Sequence, residues 1–243
     1  MSVTHWLRRI VRLLRNRDGR ARANTGWFQQ AGRQIDARGL SVGCPLHVFE
    51  HTARDLFCVA LVEGLKRDSR VLEVGAGCLR TGYWFIRFLD AGKYAGIEPH
   101  AAMLDAGRNL ILGKLEQEKQ PLFDTNDTFD FGAFERSFDV VVAFSIWSHA
   151  SKQQISTMLD QFNIHGAPAA KLITSYLPPG PDLPDYLGSE WVGRSHKSRA
   201  PGLVGHDPDW MEQAASARGL ILRHFDLFTT LNQNWLVFQK PSA

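Results

Sequence analysis

Residues Val71–Gly82 read VLEVGAGCLRTG, an apolar strand-like run that breaks into Gly75, Ala76 and Gly77 and then leads toward a helix. This is the phosphate-loop arrangement of α/β folds, where glycine takes positive φ and lets a ligand approach the backbone with no side chain in the way. A Walker loop is excluded, because no Gly-Lys-Ser/Thr follows. A dinucleotide fingerprint needs Gly or Ala as the sixth residue of G-x-G-x-x-G, where the helix packs tightly on the strand. Counting from Gly75, the sixth residue is Arg80, which weakens the dinucleotide reading.

Outward from this loop, strand-like and helix-like runs take turns. Helical HVFEHTARDLFCVALVEGL precedes RVLEV, and GYWFIRFLDAG, KYAGIEP and HAAMLDAGRNLILGKLEQE follow it. Beyond PLFDTND come FDVVVAFS, SKQQISTMLDQFN and AKLITSY, then helical DPDWMEQAASARG and two closing strands, LILRHFDLF and QNWLVFQK. Strands separated by helix-length segments predict a mostly parallel sheet with helices on both faces. The short TTLN connection predicts an antiparallel closing hairpin, since a parallel crossover needs a dozen residues or more.

Composition bounds the function. In 243 residues the apolar fraction is 44% and the charged fraction 22%, as in an ordinary globular protein. A net charge of +3 is too small for a nucleic-acid footprint. Cys44, Cys58 and Cys78 form neither a disulfide framework nor a zinc motif, which points to a reducing, cytoplasmic setting. Residues 1–23 hold seven arginines against Asp18, a balance of +6, so the other 220 residues sum to −3. Within this basic amphipathic arm, residues 5–17 place Trp6, Ile10 and Leu13 or Leu14 at helical spacing. The run is too short and interrupted to span a bilayer and lacks a secretory cleavage site. It reads as a peripheral-membrane helix, a protein-docking helix or a solvated basic face.

An acidic residue followed by x-G-x-G, here Glu73, Val74, Gly75, Ala76 and Gly77, resembles the first motif of class I methyltransferases dependent on S-adenosylmethionine. Further matches follow in the family's order. Glu98 and Pro99 end the second strand in GIEP, where the family places an acid on the cofactor's ribose hydroxyls. Asp127, Thr128 and Phe129 fall where an acid and its neighbours meet the adenine, with Asp130 as a rival acid. Phe144 and Ser145 open the loop after the fourth strand. The resemblance implies a Rossmann-like, seven-stranded, mostly parallel sheet with an antiparallel last strand. It also implies S-adenosylmethionine as cofactor, S-adenosylhomocysteine as product, and a small-molecule acceptor methylated on oxygen or nitrogen, such as a sugar or natural-product intermediate. Leu79 departs from the family, which often has a third glycine there. Arg80 beside it can pair bidentately with the cofactor's methionine carboxylate, or form a surface or Glu73 salt bridge. The Asn-Pro-Pro-Tyr signature of base-nitrogen methylases is replaced by Phe144, Ser145, Ile146 and Trp147, which argues against a nucleobase acceptor.

Methyl transfer from a sulfonium asks mainly for placement, with a general base where the nucleophile carries a proton. His149, just past the fourth strand, is the first candidate base, a packing or capping histidine being the alternative. His206 is the second; its neighbour Asp207 reads as the N-cap of a helix opened by Pro208. Trp147, Tyr176, Tyr186 and Trp191 are candidate acceptor contacts. The last two lie in a proline-rich, lid-like insertion, 177–208, whose Arg194, Lys197 and Arg199 read either as partners for an acidic group or as a solvated loop tip. Residues 24–69 read as a helical cap on a methyltransferase domain spanning 70–243, and His47, Glu50 and His51 in the cap line the cofactor entrance or cap a helix. No metal site is expected, and the oligomeric state is left open. A rival reading is a non-catalytic cofactor-binding subunit that docks through its basic arm.

Overall fold

The computed structural model describes residues 26–193 and 202–242. The basic arm, together with Arg194, Lys197 and Arg199, lies outside them. Strand β1 (Val71–Val74) is the VLEV of the opening stretch, followed by β2 (Tyr94–Ile97), β3 (Leu122–Asp124), β4 (Phe138–Ala143) and β5 (Gly166–Tyr176). The chain closes with β6 (Ile221–Thr230) and β7 (Gln233–Gln239). All seven strands form one sheet in the order β3-β2-β1-β4-β5-β7-β6. Strands β1 to β5 pair in parallel, and β7 runs antiparallel to both neighbours. The order reverses at β1 and β4, so a crevice opens at their carboxyl ends, where ligands of open α/β sheets bind.

The central strands are buried on both faces, which is why they read as continuous apolar runs. Val71, Val140 and Val142 enter one core, while Leu72, Val74, Val141 and Ala143 enter the other. The first core is shared by α1 (Trp27–Asp36), α2 (Phe49–Ala53), α3 (Asp55–Val62), α4 (Gly82–Phe88) and α5 (Ala101–Gly107). A short α6 (Lys114–Lys119) precedes β3. The second core is covered by α7 (Lys152–His165) and α8 (Pro208–Ser216). A capping box between Ser151 and Gln154 starts α7. Asp207 caps α8 by accepting from the Asp209 amide, with Pro208 in the first turn, as the sequence predicts.

Three local expectations change. The single helix read across HVFEHTARDLFCVALVEGL is a three-ten turn (Leu46–Val48) followed by two helices that break at Arg54. HAAMLDAGRNLILGKLEQE is broken by a π-helical turn at Arg108–Leu112 and by Gly113 at φ 51°. The closing hairpin is tighter than TTLN suggested. Leu231 and Asn232, at φ 52° and 63°, form a two-residue turn between Thr230 and Gln233, and this left-handed pair matches the strands' twist. Among the described residues no helix is long and apolar enough to cross a membrane.

Candidate functional site

The carboxyl ends of β1, β2 and β4 line a cavity of about 690 Å³, within the few-hundred to thousand Å³ range of small-molecule sites. Gly75 and Gly77 run beneath it with φ of 74° and 55°. A Cβ on Gly75 would stand 2.1 Å from Ile146 Cδ1, so a side chain there must displace Ile146 and would be strained at this φ. The amides of Gly75 and Ala76 both donate to the Ile97 carbonyl at 2.9 Å, fixing the loop to β2.

Leu79 keeps the backbone shape a third glycine would allow, at φ 62°, while its side chain is fully buried. A left-handed leucine costs roughly 1–2 kcal/mol, and burying its side chain returns about 1.5–3 kcal/mol. Core packing therefore holds a conformation that glycine elsewhere holds by default. Next to it, burial pushes the Cys78 thiol up to about 12, which leaves it inert.

Arg80 is only 7% exposed and lines the cavity. Its Nη1 donates to Thr52 Oγ1 at 2.7 Å and to the Phe49 carbonyl at 3.4 Å. Its guanidinium also lies over the rings of Phe49 and Phe144. It pairs with no carboxylate among the described residues, so it is neither a surface arginine nor a salt-bridge partner of Glu73. Glu73 itself is buried and accepts from Tyr94 Oη at 2.5 Å. Burial pushes its carboxyl up to about 8, with nearby Glu98 adding to the rise while the Tyr94 hydrogen bond and the Arg80 charge oppose it. Both oxygens of Glu98 are oriented by backbone, one accepting from the Gly77 amide and one from His100, each at 2.8 Å. A carboxylate held this way keeps lone pairs for hydroxyl donors in the cavity.

Pro99 after β2, and Asp127 and Phe129 beyond β3, also line the cavity. Asp130 instead caps the three-ten turn Phe131–Phe134 by accepting from the Gly132 amide at 2.8 Å, so Asp127 is the acid that faces the site. Thr128 is exposed and outside the lining. Asn126, absent from the sequence reading, lines the cavity and closes the loop by accepting from the Asp130 amide at 2.9 Å.

A second wall, from the turn after β4, the start of α7 and the insertion, is made by Phe144, Ser145, Ile146, His149, Gln154 and Trp191, with Ile146 packed against Gly75. Ser145 is held at φ 58° by a ring of hydrogen bonds. Its amide donates to Ser175 Oγ at 2.8 Å, that hydroxyl donates to Gln233 Oε1 at 2.7 Å, and Gln233 Nε2 returns to Ser145 Oγ at 2.9 Å. His149 Nδ1 lies 2.8 Å from the Val192 carbonyl, which can only accept, so Nδ1 carries the proton and Nε2 is left without a partner among the described residues. The Val192 amide donates back to the His149 carbonyl at 2.8 Å. Gly193, at φ 100°, passes so close that a Cβ would lie 2.4 Å from Nδ1. Burial lowers the His149 pKa, against the opposing pull of the Val192 carbonyl.

The structure does not bring every candidate here. Trp147 is fully buried in the second core against the Phe238 ring, because the turn after β4 sends alternate side chains to opposite sides. Tyr176, 2% exposed, packs on that same core beside His224. Tyr186 donates to the Glu190 carbonyl within the insertion. His206 is fully buried, its Nε2 3.0 Å from the carbonyls of both Trp147 and Ala150, and burial lowers its pKa. It braces the turn that carries His149 and does not line the cavity. In the cap, Glu50 pairs with Arg54, and His47 and His51 also lie outside the lining. The cap contributes Asp36 and the turn 39–43 instead, and the glycines at 39 and 43 are the sequence signal for that turn.

A sheet of this order, with an antiparallel β7 and a glycine loop after β1, is the fold of class I S-adenosylmethionine-dependent methyltransferases. No protein-family model and no curated protein matches the chain, but solved structures do. Magnesium protoporphyrin IX methyltransferase from Synechocystis PCC 6803, solved with bound S-adenosylmethionine, aligns with a TM-score of 0.59 at 16% identity, covering 96% of this chain and 97% of its own. DhpI in complex with S-adenosylhomocysteine aligns at 0.60 and 12% identity, over 89% and 95%. DesVI from Streptomyces venezuelae aligns at 0.58 and 16% identity, over 79% and 93%. At such identities the likeness establishes the fold.

Proposed function

We propose that this chain binds S-adenosylmethionine in the cavity and transfers its methyl group to an oxygen or nitrogen of a small-molecule acceptor, releasing S-adenosylhomocysteine. The observation that carries the reading is Arg80, a buried guanidinium beside the glycine loop with no carboxylate partner among the described residues. It suits the carboxylate of an amino-acid ligand. Glu73 at the same end suits the ammonium group, Glu98 the ribose hydroxyls, and Asp127 with Phe129 the adenine. At Gly77 a Cβ would meet nothing nearer than 4.0 Å, so the loop backbone there is open to the close approach that such a ligand needs.

Bound there, the cofactor supplies a methyl group already activated by positive sulfur, so the protein's task is to place and deprotonate the acceptor. His149 fits the second task. Its Nδ1–H is committed to Val192, its Nε2 lone pair is open, and its lowered pKa keeps the ring neutral at pH 7. The solved neighbours with bound S-adenosylmethionine or S-adenosylhomocysteine support the cofactor assignment.

Calorimetry with both forms of the cofactor tests the proposal, and lack of binding by either sinks it. Given binding, incubation with isotopically labelled cofactor and a small-molecule extract should mark one metabolite. Binding without transfer to any acceptor would favour a non-catalytic cofactor-binding subunit.

A further inference from the structure

The wall made by the turn after β4 and the insertion carries three rings, Phe144, His149 and Trp191, and no formal charge. Trp191 lies nearly parallel to His149, with ring centroids 5.7 Å apart and planes 20° apart. The insertion fixes this pair through two hydrogen bonds between Val192 and His149. The side chains that share the wall, Phe144, Ser145, Ile146 and Gln154, carry no charge. The cavity's carboxylates and its one guanidinium come instead from the cap, the glycine loop and the ends of β1 to β3.

We infer that this wall receives an uncharged, planar acceptor bearing a weakly acidic hydroxyl, a phenol or an enol, with its ring against Trp191 and its O–H toward His149 Nε2. The inference rests on the methyl-transfer reading. A π-face gains more from indole than a saturated ring does. The cavity's guanidinium, Arg80, is taken by the cofactor's carboxylate in the methyl-transfer reading, so an anionic acceptor would be buried here with no further counter-charge from the lining residues described, which is costly. The base adds its own selection. A neutral imidazole takes a proton most readily from a group of not much higher pKa, and a phenol, at about 10, is far closer than an alkyl alcohol. In the step itself the hydroxyl proton passes to Nε2 and the oxygen's electron pair forms the bond to the methyl carbon. The pair of the breaking carbon–sulfur bond stays on sulfur, and the imidazolium then yields its proton to solvent.

The test is equilibrium binding of three matched probes to the protein loaded with S-adenosylhomocysteine: naphthol, naphthoic acid and the saturated decahydronaphthol. Naphthol should bind at least about ten-fold more tightly than the other two. Trp191→Ala should remove about that preference while leaving S-adenosylhomocysteine affinity within about two-fold. Tighter binding of naphthoate, equal binding of decahydronaphthol, or indifference to Trp191→Ala overturns the inference. So does failure of naphthol to bind a protein that holds S-adenosylhomocysteine. If S-adenosylhomocysteine itself does not bind, the methyl-transfer reading falls and takes this one with it.

Discussion

On the glycine-loop side of the cavity, the acid, the cradle, the guanidinium and the second acid all lie between Glu73 and Glu98, on two adjacent strands and the turns that leave them. On the second wall, His149 depends on Val192 and Gly193, and Ser145 depends on Ser175 and Gln233, partners distant in sequence. The first side is made mainly of backbone conformation and local geometry, the second of tertiary contacts. A loop of the first kind can recur across many proteins with one ligand. A wall of the second kind can be rebuilt by changing an insertion, which is where selectivity belongs.

The sharpest way to break that division is Gly75→Val, which puts carbon into Ile146 and strains φ; cofactor binding should become undetectable by calorimetry while the melting curve stays cooperative. His149→Gln should leave cofactor affinity alone and cut turnover by about 100-fold or more, so equal losses in both would blur the two sides. Arg80→Gln should do the opposite, weakening the cofactor by about 10- to 100-fold through a lost charge-assisted contact, with turnover at saturation much less affected.

Gly193→Ala should lower turnover by about ten-fold by unseating the insertion, with cofactor affinity unchanged. The wild-type base works down to a lowered pKa; less burial raises that pKa, so the acid limb of the rate profile should move to higher pH. Unchanged pH dependence would mean the insertion does not tune His149. A separate effect, on stability, concerns Glu73, whose folded pKa of about 8 lies above its ordinary 4.5. The folded protein holds the extra proton, so the stability of the ligand-free form should fall as pH rises through that window. Thermal melts of Glu73→Gln across it should show a flatter profile.

Much of the first side was legible in the sequence because glycine spacing, a strand-ending acid and their order are local signals. The sheet followed from the same alternation of runs. The second side was less so. His149 and Trp191 stood out as residue types at the right edge, but nothing local distinguishes the lining His149 from the buried His206. Their difference lies in which carbonyl each ring meets. Trp147 and Tyr176 look like acceptor contacts in the sequence because they adjoin strand ends, yet the pleat and the turn after β4 send them into the core. Gln233 gave no signal, since its role exists only once β7 lies beside β5. The cap's Leu40–Gly43 turn was marked by flanking glycines but had no helical period to draw attention.

Leu79 has a consequence for how fast and how cleanly a ligand is received. A glycine at that point would leave the empty loop free to wander among several shapes, and a ligand would have to halt that motion on arrival. With an isobutyl group sunk in the core, the main chain has little slack to lose. The cradle stands formed before anything occupies it, so association should proceed in one kinetic phase, without a slower rearrangement after first contact.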